Sequence, residues 1–132
     1  MATTKRQTIV NDFVIIPNNN QMLSVSVTIG LTDQTGSSRI EISNDESFPV
    51  INIEGTFNKE PIDQCGKMDG KTLLVTTSVT DTNNDTNNNR TEATLRIFAG
   101  NVVKYKKKLQ SVVVNEGDTE TFIFNIDCHA FE

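Results

Sequence analysis

The sequence predicts an all-β fold: a single antiparallel β-sandwich of about eight strands, immunoglobulin-like or jelly-roll in connectivity. Three observations predict it. First, Leu23-Ser24-Val25-Ser26-Val27-Thr28-Ile29-Gly30-Leu31 alternates apolar and small residues without a miss. Successive strand side chains point to opposite faces, so Leu23, Val25, Val27, Ile29 and Leu31 form a face that must be buried. Second, similar runs recur along the chain, separated by turn clusters at the spacing of a sandwich or barrel. Third, no helical period of apolar residues persists for ten positions.

Residues 1–7 read as a flexible N-terminal arm and residues 8–132 as the sandwich domain. Thr8–Ile16 is apolar enough for a strand and is stopped by Pro17 and the turn-forming Asn18-Asn19-Asn20. Met22–Thr32 is the alternating strand. Asp33–Ser38 is a turn cluster. Arg39–Ser43 alternates again, with Ile40 and Ile42 inward. Phe48–Phe57 reads as one strand, and Pro49 suits its start or a sheet edge. Asn58–Lys71 holds Pro61, Gly66 and Gly70 and reads as the longest irregular stretch. Thr72–Thr80 is a strand, and Asp81–Arg90 an Asn/Asp loop. Thr91–Ala99 and Val102–Val114 form a hairpin turned at Gly100-Asn101. The last strand, Thr119–Asp127, places Phe122, Phe124 and Ile126 on one face.

The segment Leu95–Ile126, with Gly117-Asp118-Thr119 before a Phe122-Ile123-Phe124 strand, is similar to the closing strands of bacterial immunoglobulin-like modules. That resemblance implies a sandwich and no particular activity.

The chain has 132 residues, enough for one domain that buries roughly two-thirds of its unfolded surface. The net charge of -5 makes it a poor match for a phosphate backbone, which demands clustered cations. Nucleic acid is therefore not an expected partner. No apolar run reaches the length of a transmembrane helix, so a membrane is not expected either. The polar start, Met1–Thr8, lacks the apolar centre of a secretory signal, which predicts either cytoplasmic synthesis and use without secretion or a leader already removed. Two cysteines, Cys65 and Cys128, are too few for a disulfide-built scaffold and read as thiols.

Four groups of residues could carry chemistry. In the loop Asp81–Glu92, oxygen donors fall at positions one, three, five, nine and twelve, as in a calcium-binding loop. Asp81, Asn83, Asp85 and Glu92 are thus candidate calcium ligands, although Thr86 stands where the sharp turn needs glycine. A solvated Asn-rich loop is the competing reading. Asp127-Cys128-His129 sets a thiol beside the single histidine. With Cys65 and Asp63 it could hold zinc, but strand neighbours face opposite ways. Lys104, Lys106 and Lys108 share a predicted strand face, with Lys107 facing Val103, Tyr105 and Leu109. They are candidates, with Lys5 and Arg6, for docking an acidic partner, against the competing reading of edge protection. Phe13, Phe48, Phe57, Phe98, Phe122 and Phe124 lie on predicted strands, and core packing is their expected use.

No phosphate loop or nucleophile–base set is written in the chain, and the expectation is a protein without enzymatic activity. The first expected role is a structural or interaction subunit of a larger assembly, such as a capsid-decorating or tail-associated protein of a phage or virus particle. Its partner would be another protein or further copies of itself. The alternative is a ligand-binding module for calcium or carbohydrate. No other cofactor is expected.

Overall fold

The structure is a computed structural model that describes residues 5–30, 34–81, 90–112 and 119–131, with the backbone alone at residues 5, 6, 34, 81, 90 and 112. Among the described residues, nine strands form two sheets. They are β1 (Lys5–Pro17), β2 (Met22–Ile29), β3 (Gln34–Ile42), β4 (Ile51–Glu54), β5 (Phe57–Gln64), β6 (Thr72–Asp81), β7 (Arg90–Ala99), β8 (Val102–Val112) and β9 (Thr119–Phe131). Sheet A has the order β1-β9-β6-β3-β4, and sheet B the order β5-β2-β7-β8. A short 3-10 turn, Cys65–Met68, joins β5 to β6.

The sandwich exists because the alternating faces must leave water. Leu23, Val25, Val27 and Ile29 of β2 face Ile40, Ile42, Leu73, Val75, Phe122, Phe124 and Ile126 of sheet A, and all are buried. Leu95 and Ile97 of β7 complete the same core. Phe122 and Phe124 are among the largest side chains with no exposed surface. Leu31, expected on this face, lies outside the described residues. The polar strand residues Thr77 and Thr91 also point inward and are fully buried. Thr77 shares a hydrogen bond of 2.8 Å with Ser38 across β3 and β6. Thr91 Oγ1 donates to the Ser111 carbonyl at 3.3 Å. The hydroxyls of Ser38, Thr77 and Thr91 thus find partners, as interior polar groups must.

Several details depart from the sequence reading. The sandwich is not wholly antiparallel, because β1 runs parallel to β9. The first strand begins at Lys5, so Lys5–Gln7 are strand and not arm. The expected strand Phe48–Phe57 is broken at Gly55-Thr56, and its two parts join different sheets. Gly55 adopts φ 74°, a left-handed conformation that only glycine takes without strain, and this lets the chain turn from sheet A to sheet B. The stretch read as irregular then supplies β5, where Pro61 is tolerated because β5 is an edge strand.

Gly36 and its serine neighbours read as a turn, yet they lie within β3. A Cβ on Gly36 would come within 2.3 Å of the Ser78 carbonyl oxygen, so the small residue marks a close backbone approach. The Ser face of β2 is also covered, with Ser24 and Ser26 buried. Lys59 reaches from β5 across β2 to Asn101 Oδ1 at 2.6 Å and lies 5.1 Å from the Phe98 ring centroid. In the pairing of β2 with β7, Ser24 stands opposite Phe98 and Ser26 opposite Arg96.

Glu120 is the one charged residue at full burial among the described residues. Thr8 Oγ1 donates to its Oε1 at 2.7 Å, and its Oε2 has no partner among them. Near the other end of the sheets, Lys71 holds the loop after β3 through Asp45 at 2.5 Å.

Truncation of Phe124 to alanine should cost about 3–5 kcal/mol in a denaturant unfolding experiment, because it opens a cavity between two rigid sheets. The Asp45 carboxyl is held at about 2, below its ordinary 3.8, first by Lys71 and then by the Ser47 hydroxyl and N–H. A lowered carboxylate stabilises the fold above its unfolded value and loses that contribution as pH falls toward the folded one. The urea midpoint should therefore decline from pH 3.8 toward about 2. Asp45→Asn should remove part of that decline.

Candidate interaction surface

The outer face of sheet A changes character from one edge to the other. On β3, β4 and β6 it is hydroxyl- and charge-bearing: Thr76 and Ser78 floor a groove walled by Arg39, Asn52 and Glu54. On β1 and β9 it carries exposed apolar side chains beside the polar Asn11, Asn125 and Asp127. Ile9, Phe13 and Ile15 of β1 are 55%, 56% and 53% exposed, and Phe131 of β9 is 59% exposed. The parallel register sets Ile15 beside His129 and Pro17 beside Phe131. Phe13, Ile15, His129 and Phe131 thereby line one shallow apolar groove. The His129 ring meets Phe13 edge-on, with centroids 6.2 Å apart and planes at 67°.

The local sequence explains this exposure. Thr8–Ile16 is apolar on both strand faces, unlike β2. Val14 and Ile16 turn inward and are buried, so their odd-numbered neighbours must turn outward. Asn11 lies on that outer row and accepts a hydrogen bond from Asn125 Nδ2 at 2.9 Å. Asp12 faces the other way. Its Oδ1 accepts from the Phe13 N–H at 2.9 Å and its Oδ2 from the Tyr105 hydroxyl at 3.0 Å. This second bond ties β1 to β8 of the other sheet. Burial raises the Tyr105 hydroxyl above its ordinary range, and the bond to Asp12 and that group's charge add to the shift.

The expected site residues fare differently. Asn83 and Asp85 of the calcium loop lie outside the described residues, and Asp81 is described in its backbone alone, at the end of β6. Glu92 is on β7, where Lys108 Nζ stands 3.0 Å from its Oε2. Lys5 and Arg6 begin β1, again in backbone alone. Lys104, Lys106 and Lys108 lie on β8, an edge strand of sheet B. Lys106 and Lys108 share a face, opposite Arg96 and Thr94. The pairing with β7 slips between Ile97 and Phe98, so Tyr105 opposes Ile97, Val103 opposes Phe98, and Lys104 is the extra residue. Val103 therefore leaves the side of Tyr105, Lys107 and Leu109.

Phe13 is the clearest correction. It was expected in the core and stands on the surface, as does Phe131. The sequence held a signal for β1 alone: Thr8–Ile16 is apolar on both strand faces, so one of them is left outside, but which one is not written locally. Cys65 and Cys128 are free and buried, while His129 on the next position of β9 is exposed. Among the described residues, no three His, Cys, Asp or Glu side chains gather to hold a metal. Burial pushes the Cys128 thiol up to about 12, with Asp127 and Cys65 adding smaller contributions. Burial also raises the Cys65 thiol.

Compared with known proteins, the chain matches no family model, no curated protein and no solved structure.

Both thiols should resist a thiol reagent such as dithionitrobenzoate in the folded protein at pH 8, since attack needs an exposed thiolate. Both should react at once in denaturant. Rapid labelling of the native chain would contradict the burial described.

Proposed function

We propose that this chain is a non-enzymatic interaction subunit that docks on a protein partner through the outer face of β1 and β9. One observation carries the reading: the contiguous exposed row of Phe13, Ile15 and Phe131 around His129. Apolar side chains scattered singly over a surface need no explanation, but a clustered set marks a contact surface. Elsewhere the exposed large apolar residues include Met22, Val50 and the hairpin-tip pair Val102 and Val103. Aromatic residues are the usual anchors of such contacts, because they bury much area with few rotatable bonds. A small acidic sandwich with one apolar face suits a particle surface, as a capsid-decorating or tail-associated subunit of a phage or virus. That setting is an analogy from architecture.

A second reading has its own observation in favour. The exposed Phe13 ring borders a polar groove formed with Asn11, Asn125, Asp127 and His129. An aromatic face beside amides and a carboxylate suits a sugar, which has an apolar face and a hydroxyl rim. Calcium has less support, because Lys108 already stands at Glu92.

Gradient sedimentation of extract from the source separates these readings. The docking reading expects the chain in a fast-sedimenting assembly and the Phe13→Asp variant at the position of the single chain. The substitution should shift stability by less than about 1 kcal/mol, because the ring is already in water. Wild-type chain found only at its own mass would overturn the docking reading. Heat released on titrating neutral oligosaccharides into wild type, and lost in Phe13→Ala, would favour the sugar.

A further inference from the structure

The sandwich has four edge strands, β1 and β4 on sheet A and β5 and β8 on sheet B. An edge strand presents unpaired N–H and C=O groups that can template another strand, and proteins guard against this. Three of the edges carry guards. β8 bears the exposed Lys104, Lys106, Lys107 and Lys108. β5 holds Pro61, places Lys59 at φ 41°, and slips twice in its pairing with β2. β4 is only four residues long.

β1 carries lysine and proline only at its ends, Lys5 at its start and Pro17 at its close, and between Gln7 and Ile16 its only such device is the inward Asp12. It pairs with β9 over thirteen residues in an unbroken register. Between Gln7 and Pro17 its one charged residue is Asp12, whose carboxylate is held by the Phe13 N–H and the Tyr105 hydroxyl. Among the described residues no strand pairs with its other side. Among the described residues the edge is long, regular and unpaired.

What lies on either side of that edge selects its occupant. On the outer side stand Phe13 and Ile15. On the inner side runs β8, brought to β1 by the bond from Tyr105 to Asp12. Lys107 is two residues beyond Tyr105, opposite the inward Leu95, and so faces the same side as Tyr105. It is exposed because β8 borders the open flank. A second copy laid antiparallel on β1 would bring its own β8 against this one, lysines facing lysines. Like charges across such a contact oppose it.

We propose that the open edge of β1 accepts a strand donated by another protein, apolar on its outer face and acidic on the face turned toward Lys107. This rests on the docking reading above and names its partner class. The donated backbone would extend sheet A, and alternate side chains would supply specificity, as in other cases of strand addition.

The test uses the full chain and a fluorescein-labelled peptide that alternates valine and glutamate, with binding read by anisotropy. The peptide should bind, and hydrogen exchange should slow in β1. Lys107→Glu should weaken binding by roughly tenfold or more, whereas Lys106→Glu, which lies opposite Arg96 on the other face, should change it little. A peptide with lysine for glutamate should not bind. Nor should one N-methylated at the amides that would pair with β1. No saturable binding at about 1 mM peptide, where even weak strand addition registers, would overturn the proposal. Equal binding of the N-methylated peptide, or protection elsewhere than β1, would do the same. Should the peptide fail while Phe13→Asp still releases the chain from its assembly, strand donation falls and docking through the outer face stands. Should the peptide protect β1 while Phe13→Asp remains assembled, the strand site stands and the outer-face reading falls.

Discussion

Burial of the Phe122, Phe124 and Ile126 face of β9 is the interaction on which the remaining structure depends. These side chains meet β2 and β7 across the sandwich and have no exposed surface. β9 also lies between β1 and β6, so it fixes the position of both. A strand in that place has its register specified strongly, because a slip of one residue would turn every phenylalanine to water. The exposed partner side of the same strand then has no freedom. If Phe124 and Ile126 point inward, Asn125, Asp127, His129 and Phe131 must point out.

The parallel ladder between β1 and β9 carries this constraint to the surface. Val14 and Ile16 complete the core edge, and the cost is exposure of Phe13 and Ile15. A strand needed only to close the core could have carried polar residues at those positions, as the small hydroxyl residues on β2 and β6 do. The apolar choice at β1 is therefore a feature of the surface and not of the core. It coincides with an edge that has no lysine, proline or bulge between Gln7 and Ile16, while β8 and β5 have such guards along their length. Two independent departures from the rules of a solitary sandwich thus fall on one strand.

Polar groups inside the sandwich follow the opposite economy. Ser38 and Thr77 satisfy each other, Thr91 uses a β8 carbonyl, and Thr8 serves Glu120. A carboxylate at the depth of Glu120 is costly unless bonded. Its bond from Thr8 makes β1 a supplier of polar as well as apolar contacts to the interior, and strengthens the case that this edge strand is an integral part of the fold.

The sequence by itself determined the all-β class, the inward faces of β2, β3 and β9, and the hairpin at Gly100-Asn101. Period-two alternation is a local property that burial reads directly. It also showed two cysteines that do not act as a framework. Only the tertiary structure decided which side of β1 is buried, because Thr8–Ile16 is apolar on both sides and either choice satisfies the local pattern. The same holds for β5, whose proline and charges look like a loop until an edge position makes them tolerable, and for Gly36, whose smallness answers to Ser78 on another strand. The candidate surface was legible only as residues: Phe13, Ile15, His129 and Phe131 lie at opposite ends of the chain. A parallel pairing that no local signal encodes brings them together, since strand order is set by the packing of distant faces.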